Sequence, residues 1–115
     1  MAIFTQVFDG TYGRFATGIR AYLCRRNGAG WTTIAEAATN ADGQISDWDG
    51  SRLEYGLYQI VFHSDSYFAT LGEQCAYSEV IVTLRMQSDA ARFQVHLTLS
   101  PYSYSVYIGT AGDGP

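Results

Sequence analysis

Cysteine and histidine are scarce in this sequence, with two of each in 115 residues. Cys24 and Cys75 lie far apart, and without a secretory context both are expected to be reduced, buried thiols. Two histidines without spaced carboxylates do not make a zinc site, so no metal is expected. Positive charge is also sparse. Lys and Arg together number seven against eleven acids, net −4, and Arg25–Arg26 is the only adjacent pair. That excludes a basic nucleic-acid surface. No apolar run is long enough to cross a membrane as a helix. The start, MAIFTQVFDG, lacks a basic stretch followed by a long apolar core, so a cytoplasmic protein is expected. There are no repeats, no Gly-rich phosphate loop and no Gly-x-Ser-x-Gly elbow. No cofactor is therefore expected.

What is present favours strands. Hydrophobic residues make up 47% of the chain, enough for one domain with a substantial core, and the nine tyrosines and six phenylalanines suit sheets. The clearest stretch is Arg92 to Thr110. Phe93, Val95, Leu97 and Leu99 alternate with Gln94, His96, Thr98 and Ser100, which predicts one oily and one polar face. Pro101 ends that strand, because proline fixes φ and cannot donate to a ladder. Tyr102 to Thr110 resumes as its hairpin partner. Along the polar face Gln94, His96 and Thr98 follow one another at roughly 6–7 Å per step of two residues.

Taken from the start, strands are predicted over Ile3–Phe8, Ile19–Cys24, Trp31–Ala37, Gly56–Phe62 and Glu79–Met86, with a short one at Gln44–Ser46. Phe4, Gln6 and Phe8 share one face of the first. Asp9–Gly13, Asn27–Gly30 and Asn40–Gly43 read as turns, Asp47–Arg52 as a loop, and Asp89 with its alanines as a turn. Asp9 is expected to cap its turn. One short helix is expected over about 65–71, with Ser64, Asp65 or Ser66 as N-cap and Gly72 as its stop. Seven or eight short strands at spacings near ten residues predict an all-β sandwich. The domain is expected to span 1–110, with 111–115 as a frayed tail.

Four segments in order resemble the transthyretin and 5-hydroxyisourate hydrolase superfamily. They are VFDGTYGRFATGI (Val7–Ile19), TNADGQI (Thr39–Ile45), GLYQIVFHSDSYFATLGEQCAYSEVIVTL (Gly56–Leu84) and LSPYSYS (Leu99–Ser105). The resemblance implies a transthyretin-like sandwich of two four-stranded sheets with one short helix. It also implies a homotetramer, a dimer of dimers, with functional sites in a channel between facing sheets.

The hydrolases of this group carry a histidine on the first strand, an arginine after the Asp-Gly turn, a histidine before Val-Pro-Leu, and Tyr-Arg-Gly-Ser near the C-terminus. The matching positions here are Gln6, Gln44, Gln94 and Tyr107-Ile108-Gly109-Thr110. The carriers of the group have lysine, glutamate and threonine at the first three. An amide cannot replace imidazole in moving protons near neutral pH. His96, however, is gained two residues beyond Gln94, at the family's proline, and alternation places it on the same face. The expected site therefore has His96 and Tyr107 as catalytic groups. Gln6, Phe8, Gln44, Gln94, Thr98, Ser105, Ile108 and Thr110 are expected to contact the substrate. The leading expectation is a repurposed enzyme that opens, closes or isomerises a small carbonyl-bearing ring by acid/base chemistry, in secondary metabolism as one setting. A non-catalytic small-ligand carrier and a divergent 5-hydroxyisourate hydrolase are the alternatives.

Overall fold

The computed structural model describes residues 2–46, 48, 53–87 and 92–111, with Ala111 described by its backbone. Nine strands and one helix follow in order: β1 (Ala2–Asp9), β2 (Arg14–Phe15), β3 (Arg20–Asn27), β4 (Gly30–Ala38), β5 (Gln44–Ile45), β6 (Gly56–Phe62), α1 (Ser64–Thr70), β7 (Val80–Met86), β8 (Arg92–Ser100) and β9 (Ser103–Ala111). One sheet has the order β4-β3-β6-β7. The other has the order β2-β1-β8-β9, with β5 also paired to β1. The expected all-β sandwich is thus present, but its second sheet has five strands rather than four. The addition is the two-residue strand β2, which lies with the short β5 against the same edge of β1.

The alternation read from the sequence makes the core. Ile3 and Val7 of β1, Val80, Val82 and Leu84 of β7, and Phe93, Val95, Leu97 and Leu99 of β8 are buried between the sheets. They meet Leu23, Tyr58, Ile60, Phe62 and Phe68 in one cluster. Each fully buried side chain of this size contributes about 1.5–3 kcal/mol. The β8–β9 hairpin closes tightly, with Ser100 opposite Ser103. The β1–β8 pairing is parallel, Ala2 opposite Arg92 through Asp9 opposite Leu99. Everything between these two strands forms the crossover a parallel pair requires.

Two local structures aim the outward face of this sheet. The turn at 40–43 is tied by Asn40, whose Oδ1 accepts from the Asp42 and Gln44 amides, both at 2.9 Å. Gly43 has φ +71°, and a Cβ there would stand 2.5 Å from the Val7 carbonyl oxygen, so glycine is required. Val7 N–H donates to the Gly43 carbonyl at 2.8 Å, which docks the turn on β1. Asp9 is fully buried at the end of β1. Its Oδ1 accepts from the Thr11 and Tyr12 amides, and its Oδ2 accepts from the Tyr67 hydroxyl at 2.7 Å. Asp9 therefore caps its turn, as expected, and also anchors α1. Burial and the Asp9 carboxylate push the Tyr67 phenol above its ordinary range.

The helix departs from expectation at its start. It runs Ser64–Thr70, its N-cap is His63, and no side chain caps it. Ser64 Oγ instead donates to the Tyr77 carbonyl at 3.0 Å. The C-terminal stop is as expected. Gly72 takes φ +73°, its amide donates to Ala69 and that of Glu73 to Phe68. His63 is half-buried against Tyr22, ring centres 4.9 Å apart. β9 extends through Ala111, one residue into the expected tail. The other tail residues and the turn at Asp89 lie outside the described residues. So does the loop over Asp47–Arg52, apart from Trp48, which is buried.

Candidate active site

The outward face of the five-stranded sheet gathers the polar residues of four strands into rows. Directly paired residues project from the same face of a sheet, so the register defines each row. The central row is Gln44, Gln6, His96 and Tyr107, contributed by β5, β1, β8 and β9. On one side lies the row Phe4, Gln94 and Gly109. On the other lies Phe15, Phe8, Thr98 and Ser105. Eight of the ten residues read from the sequence thus lie on one surface.

Ile108 and Thr110 do not share that surface. They pair with Val95 and Phe93, both buried in the core, and so project toward the opposite side from Tyr107. The alternation of a strand separates them from Tyr107 by one step in each direction. Ile108 is still 42% exposed, because β9 is the edge strand.

The His96 ring stands between two aromatics. Its centre is 6.1 Å from Phe4 and 6.1 Å from Tyr107, with both rings tilted to it. His96 is half-buried and Tyr107 is 67% exposed. The Tyr107 ring lies over Gly109, where a Cβ would come within 3.1 Å of the ring and of the hydroxyl. Glycine at 109 therefore lets the phenol fold along β9 toward the Gln94 row. Gln6 Nε2 donates to the Asp42 carbonyl at 3.1 Å. That carbonyl can only accept, so the amide orientation is assigned and the Gln6 oxygen remains an acceptor for a bound molecule. The three rows contain no carboxylate and no guanidinium. Arg92 stands at their margin with its guanidinium 5.8 Å from the Phe4 ring centre. Among the described residues no three His, Cys, Asp or Glu side chains gather to hold a metal ion.

A sequence model of the HIUase/Transthyretin family matches residues 3–109. This chain belongs to that family. The 5-hydroxyisourate hydrolase of Deinococcus radiodurans is 34% identical over 112 residues, covering 92% of this chain and 93% of that protein. 5-Hydroxyisourate hydrolase 2 of Rhizobium meliloti is equally similar, 34% over 112 residues with the same coverage. Among solved structures, sea bream transthyretin in complex with thyroxine superposes with a TM-score of 0.89 at 21% identity, covering 98% of each chain. Klebsiella pneumoniae 5-hydroxyisourate hydrolase gives 0.83 at 23%, covering 94% of this chain and 98% of that one. The family accounts for the sandwich.

Two contributors escaped the sequence reading. Phe4 was placed beside Gln6, but its approach to His96 depends on the parallel β1–β8 pairing. The Asp42 carbonyl carries no side-chain signal at all. Both become visible only with strand order in hand.

Proposed function

We propose that this protein is a divergent 5-hydroxyisourate hydrolase whose outward sheet face opens the ring of a small cyclic ureide. The observation that carries this reading is the central row, in which Gln6, His96 and Tyr107 align across three paired strands. The hydrolase relatives at 34% identity support ring opening by water over the ring closure or isomerisation expected first.

In this reading His96 takes a proton from water as the oxygen adds to a ring carbonyl carbon. The ring carbon–nitrogen bond then breaks, and the leaving nitrogen receives a proton from the imidazolium. Tyr107 donates a hydrogen bond to the carbonyl oxygen as it gains charge. The Gln6 oxygen accepts from a ring N–H, while Gln44 and Gln94 hold the remaining carbonyl and N–H groups. Phe4 and Phe8 border the row and limit water. Thr98 and Ser105 supply hydroxyls at one end. A positioned general acid/base contributes about 10²–10⁴ in rate, and orientation adds more. A second copy of the chain facing this sheet would close it into a channel, so a homotetramer is part of the proposal.

The test is an ultraviolet assay on freshly generated 5-hydroxyisourate. Decay faster than in buffer, proportional to protein concentration, is expected. A rate equal to buffer would overturn the hydrolase reading. The carrier reading draws on the aromatic border of Phe4, Phe8 and Phe15 and on the fold shared with a thyroxine-bound transthyretin. Native mass spectrometry showing the intact ring retained without turnover would favour it.

A further inference from the structure

Beside the C-terminal end of α1, a cleft of about 510 Å³ opens toward the β1–β2 corner. That volume lies within the range of small-molecule sites. We propose that this cleft is a second binding site and that it takes a small aromatic carboxylate. The proposal does not depend on the hydrolase reading. Phe8 and Phe15, which form the edge of one row of the candidate site, are the residues the cleft shares with it.

The wall of the cleft is apolar. Phe8 and Phe15 meet edge to face with ring centres 5.5 Å apart, and Leu71 lines the same space. Phe15 is 44% exposed, so a ligand ring seated on it removes apolar area from water without displacing any protein group. Gly13 adds to the opening. It turns the chain with φ +68°, and nothing lies within 4 Å of where a Cβ would stand.

The charge at the cleft is Arg14. Its guanidinium lies 5.2 Å from the Tyr12 ring centre and also interacts with the Tyr67 hydroxyl, and it makes no ion pair among the described residues. A guanidinium presents paired N–H donors that match the two oxygens of a carboxylate. Nearby acids do not consume it. Asp9 beneath the floor already accepts from Thr11, Tyr12 and the Tyr67 hydroxyl. Glu73 accepts from the Tyr12 hydroxyl at 3.0 Å. The two hydroxyls at the lip are also engaged. Thr17 Oγ1 donates to Ala41 and Thr70 Oγ1 to Tyr67, both at backbone carbonyls. Discrimination for an anion therefore rests on Arg14, and discrimination for a ring rests on the two phenylalanines. With one exposed charge contact opposed by nearby acids, the anion preference is at most about fivefold.

Two-dimensional amide NMR of the full chain, titrated with benzoate, benzamide and acetate, tests this. Benzoate is expected to shift the amides of Gly13, Phe15, Thr17 and Leu71 with saturation in the millimolar range. Benzamide keeps the ring without the charge, and acetate keeps the charge without the ring. Benzamide is expected to bind about two- to fivefold more weakly, and acetate more weakly still because it lacks the ring contacts. Arg14→Gln should reduce benzoate affinity to that of benzamide, and Phe15→Ala should reduce it several-fold. Both residues are exposed, and dispersed amide spectra verify that the variants fold. Equal affinity for benzoate and benzamide would overturn the proposal. So would shifts centred on Gln94, His96 and Tyr107, or no saturable shift at all.

Discussion

The two outward faces of the sandwich arise from the same alternation and yet differ in what they offer. On the four-stranded sheet the central row runs Glu36, Tyr22, Val61 and Ile81. The polar groups of this face are spent on neighbours. Glu36 pairs with Arg20, Gln59 Nε2 reaches Thr83 Oγ1 at 3.5 Å, and Tyr22 stacks against His63. On the five-stranded sheet the matching row holds an imidazole, a phenol and two amides, with aromatic rings at both flanks. A polar face becomes a candidate site when its groups are aligned but not consumed by one another. The surface ion pairs of the first face are worth less than about 1 kcal/mol each, and they leave no group positioned for a ligand.

That contrast can be broken most directly at His96. His96→Ala is expected to cut turnover of 5-hydroxyisourate by about 10²–10⁴, whereas Tyr22→Phe on the other face should leave it within about twofold. If both variants retain full rate in the ultraviolet assay, the difference between the faces has no catalytic meaning.

Asp9 supports the candidate face from below, and among the described residues no other carboxylate is buried. Asp9→Ala would strand the buried Tyr67 hydroxyl and two part-buried amides, at a cost of about 2–4 kcal/mol by denaturant unfolding. A loss below about 0.5 kcal/mol would show that these bonds do not hold the corner together.

Gly109→Ala sharpens the comparison within one face. The added methyl must push the Tyr107 ring aside, since it would lie 3.1 Å from it. A fall in turnover of roughly tenfold with little change in stability is expected, because β9 is an exposed edge there. Unchanged turnover would remove Tyr107 from the proposed mechanism.

The smallest effect concerns pH. Burial first, and then the bond to Asp9, raise the Tyr67 phenol above its unfolded value. Between those two values the folded chain holds a proton that the unfolded chain has released. Stability must therefore fall as pH rises beyond the ordinary tyrosine range of about 10, and it is fully present below that range. Tyr67→Phe should flatten that part of the stability–pH curve. A curve of the same slope in the variant would assign the alkaline loss to other tyrosines.

Much of this was legible beforehand because strands advertise their faces. The alternation in Arg92–Ser100 identified Val95, Leu97 and Leu99 as core and His96 as outward, and burial follows that pattern. The alanines of β4 blurred its alternation, but the strand forms at the edge, paired to β3 with one register shift between Leu23 and Cys24. β2 was not legible. Two residues inside a turn-like stretch carry no period, and they become a strand only because Phe8 and Asp9 are there to pair with. The inclusion of Ile108 and Thr110 with Tyr107 had a different cause. Four consecutive residues were kept together as a motif, although a period of two already divides them between faces.

The sequence alone determined the local alternation, the positive-φ glycines at the turns, the helix stop at Gly72 and the membership of the chain in its family. These depend on neighbours a few residues apart, where sterics and side-chain pattern decide. The tertiary structure decided which outward residues meet. Gln6 and His96 are ninety positions apart in the chain, and only the parallel pairing of β1 with β8 sets them side by side. No local propensity encodes that pairing. It follows from how the two oily faces must stack to exclude water, and the row on the outer surface is its consequence.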